Sequence, residues 1–295
     1  MMSEARRSER RLAWALCAPA AIVMALVTVY PIVYSVLLSF QRYDLRFPNQ
    51  NQWIGLTNYV TVLTNRYWWS AFAVTMTITV ISVCAELALG MLLALIMHRA
   101  LAGRGFVRTI ALIPYGIVTV VAAFSWQYAW TPGVGYLAQL LPAGSAPLTQ
   151  QGTAVAIIIL AEIWKTTPFM ALLLMAGLAI VPDELQRAAL MDGATAWQRF
   201  TRVALPLMKP AILVALLFRT LDAVRIYDNI YILTNGSQGT SSLSILTYHN
   251  LIGGLNLGIG STMSVLMFLT VAIIAFIFVK GFGAAAPGSN NGGRR

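Results

Sequence analysis

Residues 182–206, PDELQRAALMDGATAWQRFTRVALP, decide how this chain is to be read. Pro182 and Asp183 open a short helix, because proline suits a first turn and a carboxylate favours the positive end of the helix dipole. Leu185, Ala188 and Ala189 then share one face at the i, i+3, i+4 spacing. Asp192-Gly193 breaks the run, as Asp-Gly does where the backbone needs a positive φ. The spacing predicts a second short helix with Trp197, Phe200 and Ala204 on one side, ended by Leu205-Pro206. Two short amphipathic helices joined at Asp-Gly and held between long apolar segments make a docking surface. The plain alternative is a connector whose alanines serve helix propensity alone. That accounts for the helices but not for the whole spaced pattern.

The flanking segments set the fold class. Of 295 residues, 58% are hydrophobic and only 10% are charged, whereas soluble domains carry about 25% charged residues. Six apolar stretches reach the roughly 20 residues that a membrane span requires, near 12–40, 71–97, 110–130, 153–181, 210–233 and 257–279. The chain is therefore expected to be all-α and polytopic. The net charge of +10 would point to nucleic acid in a soluble protein, but here the charges sort by side. Of the 20 Lys and Arg, fourteen fall before the first span, between spans two and three, in or just after 182–206, or after the last span. Arg42, Arg46 and Arg66 fall on the other side, and Lys165, Arg219 and Arg225 lie inside spans. The positive-inside rule places both termini and the 182–206 loop in the cytoplasm, and nucleic-acid binding is excluded. Cys17 and Cys84 both lie within spans, so no disulfide framework is implied. The basic, then apolar N-terminus mimics a signal peptide, but its apolar run continues to Phe40 and is read as an uncleaved first span.

The order Ala188-Ala189, Asp192-Gly193-Ala194, Phe200 and Leu205-Pro206 resembles the EAA loop of ABC importer permeases. The resemblance implies coupling helices that insert into a cleft of a cytoplasmic ATPase, with Glu184, Arg187, Ala188, Ala189, Asp192, Gly193 and Phe200 as the coupling residues. There is one departure: Arg187 stands where the family usually has the motif's glutamate, and Glu184 lies one turn earlier. Residues 53–59, WIGLTNY, and 233–236, LTNG, are similar to segments of the carbohydrate branch of that family. There the second ending continues with a further glycine, for which this chain has Ser237. The likeness covers residues 50–280. It implies a type I importer transmembrane domain over 12–282, between a mobile tail at 1–11 and a flexible one at 283–295, in a bacterial plasma (inner) membrane. It also implies a second, homologous permease, two ATPase subunits that bind ATP and Mg, and an extracytoplasmic sugar-binding (lipo)protein. Membrane lipid surrounds the whole, with no cofactor in this chain. The expected cargo is a disaccharide, trehalose foremost, although spacing does not distinguish it from maltose or glycerol phosphate.

Polar groups inside the spans are expensive and mark sites or internal pairs. Glu86 in the second span should point inward. Pro114 should break the third span, leaving Tyr115 and Thr119 on one face with hydroxyls near the break. In the fourth, Glu162 and Lys165 can pair at i, i+3, beside Thr166, Pro168 and Phe169. In the fifth, Arg219, Asp222, Arg225 and Asp228 form a ladder of alternating charge, with Asp222 deepest. The resemblance implies that Tyr115, the Glu162–Phe169 segment and the Asp222–Ile226 segment line the transport cavity. The candidate solute-binding residues are Tyr115, Thr119, Glu162, Lys165, Thr166, Phe169, Asp222, Ala223 and Ile226. Carboxylates and amides accept from sugar hydroxyls, while Phe169 or Trp164 can stack on a pyranose ring or simply pack between helices.

No G-x-x-x-x-G-K-[ST] run occurs, so ATP hydrolysis falls to another chain. His98 and His249 lie on opposite sides of the membrane and form no metal site. The competing readings are a secondary, ion-coupled carrier using Glu86, Glu162 and Asp222, which leaves the EAA-like loop without a use, and a membrane-embedded enzyme, for which no nucleophile is evident.

Overall fold

The computed structural model describes residues 2–98, 104–142 and 144–285. Arg99 and residues 286–295, with Arg294, Arg295 and most of the expected C-terminal tail, lie outside them. In chain order the elements are α1 (Met2–Ser39), a ribbon of β1 (Gln41–Arg42) and β2 (Gln52–Trp53), α2 (Thr57–Thr64), α3 (Arg66–His98), α4 (Arg104–Gly116) and α5 (Thr119–Ala129). There follow α6 (Gln151–Ala179), α7 (Asp183–Met191), α8 (Ala196–Arg199), α9 (Leu205–Ala223), α10 (Asp228–Leu233), α11 (Leu243–Tyr248) and α12 (Leu257–Ala285). Among the described residues, five helical stretches are long and apolar enough to cross a membrane, and the α4–α5 pair makes a sixth if it is counted as one span bent by 89°. The chain is all-α apart from its small ribbon.

The chain divides into two compact units, one from residues up to Asn65 together with Thr247–Leu266, the other from Arg66–Leu246 together with the chain from Met267 onward. In the first, β1 and β2 pair antiparallel, Gln41 opposite Trp53, and Phe40 stacks on Trp53 with ring centres 5.8 Å apart. Buried Asn58 donates to the carbonyls of Ser39 and Gln41, 2.9 Å each, and so helps to satisfy backbone acceptors at the end of α1. Its segment, WIGLTNY, thus ties the end of α1 to the ribbon and leads into α2.

In the second unit α3 and α6 pack side by side, and a Cβ on Gly90 would come within 2.8 Å of Met170. Small residues permit such close backbone approach between membrane helices. One apolar cluster gathers Val83, Ala94, Met97, Met170, Leu174 and Met208, and a second gathers Val74, Ile78, Ile158, Ile159, Ile226 and Ile230. Along α6, the polar residues Glu162 and Thr166 fall between these two clusters, and Glu86 on α3 follows Val83 of the first.

Several expectations need correction. The helix of α1 begins at Met2 and runs through the stretch read as a mobile tail, and it continues past Pro19 and Pro31. Pro114 sits inside α4, and the third span breaks three residues later, at 117–118. Proline is tolerated one turn before a helix end because the carbonyl it deprives of a donor is the only loss. Leu205-Pro206 does not end the helix begun at Ala196. Residues Phe200–Ala204 form a π-turn, with the Leu205 amide donating to the Phe200 carbonyl, and Pro206 falls in the first turn of α9. The wider turn takes up the proline that an unbroken α-helix would resist. Segment 237–256 carries α11 and a further π-turn at His249–Gly253.

Candidate functional site

The bend in the third span makes the site. α4 stops at Gly116, and Val118, in an extended conformation, precedes α5. The break frees backbone groups from helical pairing, and Lys165 Nζ on α6 donates to the Ile117 carbonyl at 3.1 Å. A cation at a helix C-terminus is favourable, and Lys165 also lies 5.7 Å from the centre of the Tyr115 ring, within cation–π range. Tyr115 in turn stacks on Phe169, ring centres 5.3 Å apart. Tyr115 and Thr119 therefore do not share a helix face; they stand on opposite arms of the bend.

Beside the bend is a buried ion cluster. Arg219 has no exposed surface. Its Nε donates to Glu86 Oε2 at 2.5 Å and its Nη2 to Glu86 Oε1 at 3.0 Å, a two-point fork. Nη2 also reaches Glu162 Oε1 at 2.8 Å, and Nη1 reaches Asp222 Oδ2 at 3.0 Å. Thr166 Oγ1 lies 2.8 Å from Glu86 Oε1 and 2.6 Å from the Glu162 carbonyl, so its single proton has two acceptors. Asn229 donates from Nδ2 to Glu162 Oε2. A planar guanidinium suits this task, since it offers several donors in a fixed fork and stays charged.

Three pairings expected from the sequence are thereby replaced. Glu162 pairs with Arg219 rather than with Lys165. The charged ladder forms at its first rung, Arg219 with Asp222 at 3.0 Å, but goes no further, because α9 ends at Ala223 and the chain turns before α10. Arg225 Nε donates to the Leu221 carbonyl at 3.2 Å instead. Depth is also inverted: Asp222 keeps 65% of its side chain exposed while Arg219 keeps none.

Bend and cluster border a cavity of about 600 Å³, lined by Tyr115, Ile117, Val118, Thr119, Glu162, Lys165, Thr166, Asp222, Arg225, Ile226, Tyr227, Asp228 and Asn229. That volume falls within the roughly 300–1,000 Å³ of small-molecule sites. Of the residues singled out from sequence, Tyr115, Thr119, Glu162, Lys165, Thr166, Asp222 and Ile226 are brought together here. Phe169 stands behind Tyr115, Ala223 is buried in the apolar cluster, and Trp164 packs edge-on against Trp126 at 6.1 Å. Sequence reasoning passed over Tyr227, Asp228 and Asn229 as lining residues. The density of polar groups from Arg219 to Asn229 was the available signal that the fifth span could not remain one lipid-facing helix. Carboxylate acceptors, amide, ammonium and guanidinium donors, and tyrosine rings together suit a hydroxyl-rich solute.

The 182–206 loop forms a second feature. Pro182 caps α7, Asp183 and Glu184 occupy its first turn, and no α7 side chain is buried. Gly193 has φ +78°, and the amide of Ala194 returns to the Ala189 carbonyl at 2.9 Å. Thr195 and Gln198 then form a reciprocal capping box at the start of α8, satisfying donors at the helix start. Met191 is 87% exposed and Trp197 71% exposed, and Leu185, Arg187 and Ala188 are exposed with them. Phe200, half-buried, packs its ring 5.9 Å from that of Trp197.

Compared with known proteins, residues 86–285 match the family described as the binding-protein-dependent transport system inner membrane component. The chain is similar to the trehalose transport system permease protein SugA of Mycobacterium tuberculosis, 63% identical over 289 residues that cover 98% of this chain and 94% of that one. It is similar also to the trehalose/maltose transport system permease protein MalF of Thermococcus litoralis, 37% identical over 286 residues, 95% of this chain and 96% of the other. Among solved structures, a chain of a bacterial ABC transporter involved in the import of the acidic polysaccharide alginate shares the fold, with a TM-score of 0.82 at 22% identity, covering 96% of this chain and 99% of that one.

Proposed function

This chain belongs to the binding-protein-dependent inner membrane transport components, and on that premise we propose that it is the permease subunit of an ATP-driven importer whose cargo is the disaccharide trehalose. The substrate is supported by the name of the relative with 63% identity and by a cavity rich in groups that bind hydroxyls. A second, homologous permease completes the pathway, an extracytoplasmic sugar-binding lipoprotein delivers the sugar, and two cytoplasmic ATPase subunits bind ATP and Mg. Both termini and the 182–206 loop face the cytoplasm, in keeping with the clustering of Lys and Arg there. Glu184, Arg187, Ala188, Ala189, Asp192, Gly193 and Phe200 form the surface against the ATPase. The cavity residues, with Phe169 and Ala223 bracing them, form the passage.

One observation carries this reading. The exposed loop joins α6 to α9, and those two helices supply Glu162, Lys165, Thr166 and Asp222 to the cavity wall. A push on the loop therefore moves two cavity-lining helices together, the rigid-body kind of change by which access alternates. The ion-coupled carrier gains nothing from the geometry, since Glu86 and Glu162 are both held by Arg219.

The test is uptake of tritiated trehalose into proteoliposomes holding the copurified assembly. Uptake that requires internal ATP and the external binding protein is expected. Trehalose accumulation by this chain alone, driven by an ion gradient, would overturn the reading.

A further inference from the structure

Four cavity-lining side chains owe their positions to two residues that do not line the cavity. Glu86 and Arg219 have no exposed surface and are absent from the lining. Yet Asp222 and Glu162 are bonded directly to Arg219, Thr166 to Glu86, and Asn229 to the far oxygen of Glu162. Glu86 takes both donors, Nε and Nη2, along one edge of the Arg219 fork, which fixes the plane of the guanidinium. That plane in turn sets the direction from which Asp222 and Glu162 are approached. The arrangement also spans the break in the fifth membrane segment, because Asp222 lies before the turn and Asn229 after it.

We propose that Glu86, acting through Arg219, is the positioning residue of the solute cavity. It holds Asp222, Glu162, Thr166 and Asn229 in one preset constellation for a neutral, hydroxyl-rich solute. The physical ground is preorganisation: a site whose polar groups are already held in place spends less on ordering them when ligand arrives. Asp222 is the member through which the solute feels the arrangement, since it alone is both bonded to Arg219 and largely exposed. Removing the Glu86 carboxylate frees the guanidinium to turn toward Glu162 and Asp222, and Asp222 is then drawn away from the cavity.

This inference rests on the proposed role of the cavity, so the test is a double-mutant cycle that separates the two. Tritiated trehalose is bound by equilibrium dialysis to the assembled importer in nanodiscs without its binding protein, using wild type, E86Q, D222N and the double variant. E86Q is expected to weaken binding about tenfold, and to add less than twofold once D222N is present. E86D, which keeps the charge but shortens the reach, should fall between wild type and E86Q. It carries the same cycle should E86Q fail to reach the membrane. Independent, multiplying effects of E86Q and D222N would overturn the positioning role, as would E86Q binding like wild type while D222N binds weakly. Failure of both E86Q and E86D to accumulate would overturn it in favour of a purely architectural ion pair. Wild-type binding unchanged by D222N would instead refute the cavity assignment itself.

Discussion

Arg219 shows how far single residues can be understood from their neighbours in sequence. A guanidinium with no exposed surface must be paired to be tolerated, and the desolvation of its partners is recovered only while it stays. R219A strands Glu86 and Glu162 without a counter-charge, and breaking such a buried pair costs about 3–5 kcal/mol. Unfolding of the purified subunit in detergent checks this; stability within about 1 kcal/mol of wild type, the worth of an exposed pair, would contradict it. The sequence marked Glu86, Glu162, Arg219 and Asp222 as charges that needed partners, and its i, i+3 spacing found one pair that forms, Arg219 with Asp222 at 3.0 Å. It did not find the partners of Arg219 that lie 57 and 133 residues away, Glu162 and Glu86. No spacing rule along one helix reaches that far. Lys165, deprived of Glu162, found a backbone carbonyl exposed by the bend, a group that no sequence pattern displays.

At the scale of elements, helices and their order were legible, while their breaks were not. Apolar length marked each span, and Asp192-Gly193 marked the turn between α7 and α8 correctly because φ +78° at Gly193 suits a residue without Cβ. Prolines misled twice, each expected to stop a helix: Pro114 lies within α4, and Pro206 follows a π-turn without stopping the chain. Their effects depend on whether the surrounding turn can widen or was ending anyway, which is a tertiary matter. Two substitutions test the packing at this scale. G90L drives a side chain into Met170, 2.8 Å from where a Cβ would stand, and should cost about 1–3 kcal/mol as overpacking, read by unfolding in detergent. An unchanged midpoint would show that α3 and α6 are not held so closely. G193V forces a β-branched residue into positive φ, a conformation costing about 1–2 kcal/mol. It should lower ATPase stimulation by the solute-loaded binding protein severalfold while leaving the amount of chain in the membrane unchanged. Full stimulation in G193V would mean that the turn's shape does not matter for coupling.

For the whole molecule, composition and charge asymmetry sufficed for the all-α class and the order of spans, and the EAA-like pattern sufficed for the family. The division into two compact units and the helical turns near residues 243–253 were not visible, because both depend on contacts between distant segments. Orientation is tested by labelling. With Cys17 and Cys84 replaced by serine, M191C places a thiol on a position 87% exposed in the loop. A membrane-impermeant maleimide should modify it in inside-out vesicles and leave it untouched in right-side-out ones; the reverse pattern would place the loop outside.

The central claim is that the 182–206 loop takes the motion of a separate motor and passes it to the sugar cavity. The most direct measurement is ATP-dependent trehalose uptake in proteoliposomes carrying the assembled importer with A189W in this chain. The account predicts normal insertion and normal trehalose binding, with uptake and stimulated ATP hydrolysis both reduced at least tenfold. Uptake at the wild-type rate would contradict it.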